Sequence, residues 1–360
     1  MMRDNLTEPE IKYMNRCFEL AELGMGSVSP NPLVGSVVVR DGRIVGEGYH
    51  RQYGKAHAEV NAINDVIGRY PNNFAEILRQ STIYVNLEPC SHFGKTPPCS
   101  DLIIKHRIPH VVIGSPDPFD SVNGKGVLKL RNAGIRVTEN FCLEEANFIN
   151  RRFFTRITKQ RPYFILKWAQ TADGYIAPAD RSQKWITGPE AKVLTHKWRT
   201  EEDATLVGKT TALSDNPQLN VRQWHGRNPV RIVIDKNMEL PLSSNLLDQS
   251  QSTIVFNAHK TDYNGQVKYL EIENFDHYLP QMIAYQLYIM DIQSVIIEGG
   301  AATLDLFIQA GLWDEARIFI SDTHWGEGLN APSLMGQNEH VLTVGKDRLH
   351  ILFKLKRLRT

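Results

Sequence analysis

A histidine, a glutamate and two cysteines in the first third of the chain have the residue types of a metal-dependent hydrolytic site. One residue separates His57 from Glu59, and eight residues separate Cys90 from Cys99. One imidazole and two thiolates fill three positions of a tetrahedral Zn²⁺ site and leave the fourth for water. The metal lowers the pKa of that water, which makes it a nucleophile near neutral pH. With Glu59 as the proton carrier, the pattern predicts hydrolytic deamination of an amine-bearing ring.

Residues 87–99 closely resemble the zinc motif of the bifunctional riboflavin-biosynthesis deaminase–reductases. They read Leu-Glu-Pro-Cys-Ser-His-Phe-Gly-Lys-Thr-Pro-Pro-Cys, whereas the usual zinc-deaminase pattern is Cys-x-x-Cys. The resemblance continues in Asn-Pro-Leu-Val-Gly at residues 31–35 and far into the second half, so it covers nearly the whole chain. It implies that zinc is bound by His57, Cys90 and Cys99 and that Glu59 is catalytic. It also implies substrate contacts from Asn31, His50, Lys95 and Asp117.

The second half resembles the reductase of the same family, which implies a dihydrofolate-reductase-like fold that binds NADPH. Its motifs are Lys-Trp-Ile-Thr at residues 184–187, Ser-Asp-Asn-Pro at residues 214–217 and a Gly-Gly pair at residues 299–300. The pair follows an apolar strand and opens a helix, where backbone N–H groups can receive a pyrophosphate. Alone, such a pair is more often an ordinary tight turn. The resemblance implies substrate contacts at Gln183, Arg199, Leu219, Arg222 and Glu298. It implies cofactor contacts at Lys167, Gln170, Trp185, Thr211, Asp215, Lys236, Gly299, Gly300, Ala301, Ala302, Thr303 and Leu304.

Two reactions on small pyrimidine ribosyl phosphates follow from the resemblance. The first domain would hydrolytically deaminate 2,5-diamino-6-ribosylamino-4(3H)-pyrimidinone 5′-phosphate. The second would reduce 5-amino-6-(5-phosphoribosylamino)uracil to its ribityl product, with hydride supplied by NADPH and positioning supplied by the protein. A tRNA adenosine deaminase, the main rival, would carry Cys-x-x-Cys and a basic, aromatic groove. A non-catalytic zinc module would need neither Glu59 nor a nucleotide-binding half.

Four positions depart from the common family pattern. Phe119 stands where asparagine is usual, Gln170 where a small residue is usual and Gln183 where serine is frequent. Gln170 could still contact the cofactor through its backbone. Lys236 stands where a small polar residue is common. If Lys236 contacts the 2′-phosphate of the cofactor, the enzyme should prefer NADPH. The alternative is that Lys236 is an exposed lysine of a turn. Asp235 superficially fits the acidic residue that selects NADH in Rossmann folds, but this half lacks the Gly-x-Gly-x-x-Gly turn.

Hydrophobic periodicity and turn signals place these motifs on predicted elements. In the first half they predict helices over 9–23 and from His57 onward, a hairpin of strands 35–40 and 44–46, and strands over 82–87, 110–114 and 135–138. His57 and Glu59 converge only if their helix begins between them, since positions i and i+2 of a helix do not face each other. Pro97-Pro98 predicts another helix start, with Cys99 in its first turn. This alternation predicts a layered α/β domain over residues 1–152, and the resemblance implies that it is a cytidine-deaminase-like three-layer domain.

The second half again alternates strands and helices and is expected to form an α/β domain over residues 160–360. Strands are predicted over 163–168, 204–207, 230–235, 253–256, 294–298, 317–321 and 350–355, and helices over 188–199 and 301–309. The basic segment 150–162 is predicted to be an irregular linker that contains the domain boundary.

Composition is that of an ordinary globular protein of 360 residues, with 42% apolar residues and a net charge of +1. This balance gives no general case for a nucleic-acid or membrane partner. Since neither a signal peptide nor a long apolar run is evident, the sequence predicts a cytoplasmic enzyme. The chain has four cysteines, too few beyond the metal motif for a disulfide framework, so Cys17 and Cys142 are predicted to be buried thiols. The sequence is compatible with assembly into a homo-oligomer.

Overall fold

The computed structural model describes residues 8–91, 97–119, 123–180, 184–334 and 336–354. It divides into two compact units between Lys159 and Gln160, a division that lies within the segment 150–162.

The prediction that this segment is irregular is wrong, because Arg151–Lys159 forms a helix. The helix buries Phe153 and Thr155 and also Arg152. Long basic side chains can cover apolar surface with their methylene stems, so the run of basic residues did not argue against a helix.

The first unit has a five-stranded sheet in the order β2-β1-β3-β4-β5. Strands β1, β2 and β3 pair antiparallel, whereas β3, β4 and β5 pair parallel. In chain order the elements are α1 Glu8–Glu22, β1 Gly35–Arg40, β2 Arg43–Tyr49, α2 Ala58–Arg69, α3 Phe74–Arg79, β3 Thr82–Leu87, α4 Cys99–Lys105, β4 His110–Ser115, α5 Lys125–Asn132, β5 Arg136–Thr138, α6 Leu143–Ile149 and α7 Arg151–Lys159. The predicted helices, hairpin and strands are confirmed, with ends shifted by a few residues.

Alternating side chains of the first sheet enter two separate cores, as expected when successive residues of a strand point to opposite faces. Val38 and Ile83 pack with α2, α3, α4 and α5, whereas Val37 and Tyr84 pack with α1. Cys17 is fully buried in the second of these cores, whereas Cys142 is only half-buried. The unit therefore has the predicted three layers, with helices on both faces of the sheet.

The second unit has a ten-stranded sheet in the order β11-β12-β10-β9-β8-β13-β6-β14-β17-β16. The run from β12 to β14 is parallel, and β11, β17 and β16 are antiparallel to their neighbours. The elements are β6 Tyr163–Gln170, β7 Tyr175–Ala177, α8 Pro189–Glu201, β8 Ala204–Gly208, α9 Lys209–Asp215, β9 Val230–Ile234, a 3-10 turn Asn245–Leu247, β10 Thr253–Asn257, β11 Asp262–Asn264, β12 Val267–Glu271, α10 Leu279–Ile289, β13 Ser294–Ile297, α11 Ala301–Gln309, β14 Glu315–Ile320, β15 Leu329–Asn330, β16 Gln337–Val344 and β17 Asp347–Phe353.

Helices cover both faces of this sheet, as buried parallel strands require. Phe164 and Leu206 contribute to the core that includes α10 and α11, while Ile165 packs with α8 and Val207 with α9. The predicted α/β alternation is confirmed, although strands β7, β11, β12, β15 and β16 were not predicted. Within the described ranges, no helix is both long and apolar enough to span a bilayer.

Candidate active sites

The first site lies where β3 ends and where α2 and α4 begin. His57 is extended, with φ −73° and ψ 167°, and α2 starts at the next residue. The helix thus begins between His57 and Glu59, as their convergence requires. Cys90 lies three residues beyond the end of β3, and Cys99 is the first residue of α4, after Pro98. Three separate elements therefore bring the predicted zinc ligands together.

The spacing of the three ligand atoms fits a tetrahedral zinc ion. His57 Nδ1 lies 3.6 Å from Cys90 Sγ and 3.3 Å from Cys99 Sγ. All three ligand atoms lie within 4.8 Å of one another. Tetrahedral bonds of ordinary Zn–N and Zn–S length separate a nitrogen from a sulfur by about 3.6 Å. The donors present therefore fit zinc in both type and spacing.

Glu59 lies beside these ligands in the first turn of α2 and is only 3% exposed. Burial raises the pKa of its carboxyl group to about 7. A carboxyl group with a pKa near the working pH can both accept and donate a proton. The Cys99 backbone N–H donates to Cys90 Sγ over 3.3 Å, and hydrogen bonding from Cys99 lowers the pKa of the Cys90 thiol. This environment favours the thiolate form that zinc binds.

His50 and Asn31 form a neutral polar pair next to the ligands. His50 Nδ1 lies 3.1 Å from the Ala56 carbonyl oxygen, which can only accept, so the ring proton is assigned to Nδ1. His50 Nε2 then accepts from Asn31 Nδ2 over 3.1 Å. The His50 and His57 rings meet edge to face, with centroids 5.5 Å apart. Burial lowers the pKa of His50, which keeps the imidazole neutral beside a metal site.

Asp117 is buried near the same site, in the segment after β4. Burial raises the pKa of its carboxyl group to about 6, and the charges of Glu88 and Cys90 add to this shift. Asp117 Oδ1 also accepts the Phe119 backbone N–H over 2.9 Å. The Phe119 ring, at the position of an expected polar contact, is 46% exposed. Lys95, the predicted phosphate contact, lies outside the described residues.

The second site is a cavity of about 570 Å³ in the second unit. It opens at the carboxyl ends of β8 and β13, beside Lys167 of β6. Adjacent parallel strands present their carboxyl ends at one edge of a sheet. Eight of the predicted contacts line this cavity: Lys167, Trp185, Arg199, Thr211, Asp215, Leu219, Arg222 and Glu298. Gln183 lies outside the described residues.

A buried ion pair crosses the wall of this cavity. Arg199 Nε and Nη2 bind the two oxygens of Glu298 over 2.7 and 2.8 Å, and Arg199 Nη1 donates to the Asn220 carbonyl over 3.1 Å. Although burial opposes ionisation, Arg199 keeps the pKa of Glu298 below its usual value. Burial lowers the pKa of nearby Lys167. The charge of Glu298 acts against this shift, and the charge of Arg199 adds to it.

The predicted cofactor turn after β13 packs tightly against β8. A Cβ added to Gly299 would lie 2.9 Å from Val207 Cα, so only glycine fits there without displacing backbone. The Gly300 backbone N–H donates to Thr211 Oγ1 over 3.0 Å, which ties the turn to a residue of the cavity wall. Leu304 is buried in the hydrophobic core, so only its backbone could reach a ligand. The neighbouring positions Ala301, Ala302 and Thr303 begin α11.

Three further positions at the ends of strands have clear structural partners. Gln170 Oε1 accepts the Trp168 indole N–H over 2.8 Å, and the Gln170 carbonyl accepts from Ser321. Asp235 is buried, and its Oδ2 accepts the Leu240 backbone N–H over 2.9 Å, so it stabilises the turn after β9. Lys236 Nζ lies 2.7 and 2.6 Å from the oxygens of Asp276.

Several cavity residues were not predicted. Lys184 and Lys192 line the wall, as does His196, which is buried. Burial and the adjacent Arg199 and Arg222 lower the pKa of His196 to about 4. Residues 192, 196 and 199 share one face of α8 at spacings of four and three, so a helical projection of the predicted helix could have found them.

Comparisons with known proteins assign each half of the chain to a family. Residues 7–115 match the cytidine and deoxycytidylate deaminase zinc-binding region, and residues 162–358 match the RibD C-terminal domain. The riboflavin biosynthesis protein RibD of Aquifex aeolicus is 40% identical over 97% of this chain and 99% of that protein. RibD of Escherichia coli is 34% identical over 91% of this chain and 88% of that protein.

Solved structures give the same result. One is the diaminohydroxyphosphoribosylaminopyrimidine deaminase/5-amino-6-(5-phosphoribosylamino)uracil reductase of Thermotoga maritima, with a TM-score of 0.86 and 37% identity. The superposition covers 96% of this chain and 98% of that chain. RibD of Acinetobacter baumannii has a TM-score of 0.85 at 32% identity, over 97% and 99% of the two chains.

The fold and the two sites define a zinc-dependent deaminase joined to a reductase. The chain belongs to the RibD family of bifunctional deaminase–reductases of riboflavin biosynthesis, which use zinc and NADPH. The resemblance seen in the sequence is thereby confirmed, as are its two-domain fold class and both cofactors.

Replacing one zinc ligand should release the metal without unfolding the reductase unit. Cys99→Ser or His57→Ala is expected to lower the zinc content of the purified protein from one per chain to a small fraction, because two remaining donors bind zinc weakly. Metal analysis after gel filtration measures this. Ser91→Ala provides a control beside Cys90, and retention of one zinc by Cys99→Ser would contradict the ligand assignment.

Proposed function

We propose that the first unit hydrolytically deaminates 2,5-diamino-6-ribosylamino-4(3H)-pyrimidinone 5′-phosphate. The observation that carries this proposal is the buried Glu59 beside a group of one histidine and two cysteines with zinc geometry. Zinc, when bound, lowers the pKa of water enough to supply a nucleophile. Glu59 takes a proton from the attacking water, gives it to the ring nitrogen, and delivers a proton to the amino group that leaves as ammonia. Asn31, His50, Asp117 and Lys95 hold the pyrimidine and its phosphate.

The second unit then reduces the ribosyl group of 5-amino-6-(5-phosphoribosylamino)uracil to ribityl. NADPH supplies the hydride. Arg222 lies in the cavity wall, and its planar fork suits the ribose 5′-phosphate. The fork of Arg199 is occupied by Glu298 and the Asn220 carbonyl, so Arg199 orients Glu298 as a substrate contact. Lys167 lies near Glu298 with a lowered pKa, which suits a side chain that gives a proton to the sugar oxygen as the hydride arrives. Gln183 and Leu219 complete the substrate contacts, and Trp185, Thr211, Asp215, Gln170 and residues 299–304 bind the cofactor.

Ammonia release from the pyrimidine phosphate, compared with release from single-stranded nucleic acid, tests the proposed substrate class. Release from the pyrimidine alone is expected, because the net charge of +1 gives no general attraction for a polyanion. Deamination of nucleic acid would instead support the alternative that the first unit acts as a tRNA adenosine deaminase. We further propose that the enzyme acts in the cytoplasm and that its substrates are small molecules.

Each unit should carry its own activity. The sequence-based domains 1–152 and 160–360 leave most of α7 out of both pieces, so we propose residues 1–159 and 160–360 as the separable pieces. When they are expressed apart, the first is expected to bind zinc and the second NADPH, since each has its own core. In the intact chain, a chelator and NADPH should each shift one of two unfolding transitions. One transition moved equally by both ligands would contradict separable domains.

The preference for NADPH is expected to depend on Lys236 and on its partner Asp276. Their side chains are 42% and 71% exposed, so a 2′-phosphate could compete for the lysine. Lys236→Ala should raise the dissociation constant of NADPH more than that of NADH, and added salt should reduce this difference. Asp276→Asn should tighten NADPH, because it frees the lysine. Fluorescence titration measures both constants, and equal losses for the two cofactors would show that Lys236 does not contact the 2′-phosphate.

A further inference from the structure

Glu88 is a buried carboxylate next to the zinc ligands to which the proposed chemistry gives no role. It follows the last residue of β3, two residues before Cys90, and is 4% exposed. An isolated carboxylate at such a depth is costly to bury unless its oxygens accept several hydrogen bonds. Its partners therefore indicate what it does.

Four backbone N–H groups converge on the two oxygens of Glu88. Oε1 accepts from Gly126 over 3.0 Å and from Val127 over 3.3 Å. Oε2 accepts from Gly124 over 3.0 Å and from Asp117 over 3.4 Å. Gly124 and the first residues of α5 have no side-chain cap of their own, so Glu88 satisfies N–H groups that a helix start leaves unpaired. A negative charge is also favourable at that end of a helix.

The same contact brings the turn that carries Cys90 directly against α5. A Cβ added to Gly126 would lie 2.1 Å from the Pro89 carbonyl oxygen, so glycine is required for this approach. The Glu88 backbone N–H donates to the Ser115 carbonyl over 2.9 Å, which joins the ends of β3 and β4. Glu88 is thus part of the Cys90 turn and binds the backbone of three other pieces: the end of β4, the Asp117 segment and the start of α5.

We propose that Glu88 is a positioning residue of the deaminase site, which holds the Cys90 turn and the Asp117 segment in fixed register against α5. The part concerning Asp117 rests on the proposed function, whereas the part concerning Cys90 does not. Glu88→Gln keeps the size of the side chain but replaces one carboxylate oxygen with an amide NH₂ group. That group is a donor, so it cannot accept hydrogen bonds from the backbone N–H groups around it. The Cys90 turn then loses its fixed distance from α5, and zinc is released more easily.

The test measures zinc release from the intact holoenzyme into excess chelator. Changing groups that orient metal ligands typically costs about 10–100-fold in metal affinity, so Glu88→Gln is expected to release zinc faster than the wild type by a factor of that size. Glu47→Gln is the matched control, because Glu47 in the same unit accepts two hydrogen bonds from Arg16 over 3.0 and 2.9 Å. Equal release rates in all three proteins would overturn the role at Cys90. Glu88→Asp, which keeps the charge, replaces the glutamine variant if that variant does not fold.

A double-mutant cycle tests the role at Asp117. Glu88→Gln is expected to raise the KM of deamination at least tenfold in the wild-type background and much less when Asp117→Asn is already present. Effects that multiply independently would overturn this role. If the wild type does not deaminate the pyrimidine phosphate, the proposed function fails, and the zinc-release comparison still decides whether Glu88 positions the Cys90 turn.

Discussion

Replacing Glu59 with glutamine is expected to lower kcat for ammonia release by about 10²–10⁴-fold, the usual contribution of a positioned acid and base. Glutamine keeps the shape of the side chain and its hydrogen bonding but cannot carry a proton. Because Glu59 is not a zinc ligand in this geometry, the variant should keep one zinc per chain.

The reductase unit of the same chain provides the internal control for this variant. Glu59→Gln should oxidise NADPH at the wild-type rate when it is supplied with the deaminated pyrimidine. Metal analysis and both activities can be measured on one preparation. Appreciable deamination by a zinc-loaded Glu59→Gln protein would contradict the role of Glu59 as the proton carrier.

Loss of the Arg199–Glu298 pair should have the second largest effect. Their side chains are 10% and 8% exposed, so Arg199→Met would leave a buried carboxylate without its bidentate partner. Breaking a buried ion pair in this way costs about 3–5 kcal/mol of folding stability. Arg199→Met should therefore lower the free energy of unfolding of the second unit by about 3–5 kcal/mol. It should also abolish NADPH-dependent reduction, since it releases Glu298, a proposed substrate contact.

Two comparisons separate stability from activity in this variant. Arg161→Met is the matched control, because Arg161 makes a bidentate pair with Asp314 over 2.5 and 2.7 Å in the same unit and does not line the cavity. It should destabilise the unit but keep the KM for the reductase substrate. The double variant Arg199→Met/Glu298→Leu should recover much of the stability and none of the activity. Recovery of reduction in the double variant would show that the pair has only a structural role.

The sequence predicted the residues that share a local signal. His57, Glu59, Cys90 and Cys99 stand at spacings that zinc chemistry explains, and the strand 82–87 and helix 301–309 have the predicted bounds. Strong apolar runs bounded by turns specify such elements, because their side chains must be buried. The convergence of His57 and Glu59 depended on where α2 begins, which the motif indicated and periodicity could not.

Other features depend on contacts between distant parts of the chain. Glu88 accepts hydrogen bonds from residues up to 39 positions away, and Lys236 pairs with Asp276 40 positions away. No local pattern marks such partners, because only the tertiary fold brings them together. The helix Arg151–Lys159 was missed for a different reason, since its basic residues suggested a solvated linker while its buried face was short.

The most direct test follows ammonia and NADPH together in the intact zinc-loaded enzyme supplied with the diaminopyrimidinone ribosylamine phosphate. The predicted result is ammonia release with or without NADPH, and NADPH oxidation only after deamination has begun. Glu59→Gln should stop both signals from this substrate and leave NADPH oxidation with the deaminated substrate unchanged. NADPH oxidation by Glu59→Gln from the diamino substrate, or ammonia release that requires NADPH, would contradict a deaminase followed by a reductase on one chain.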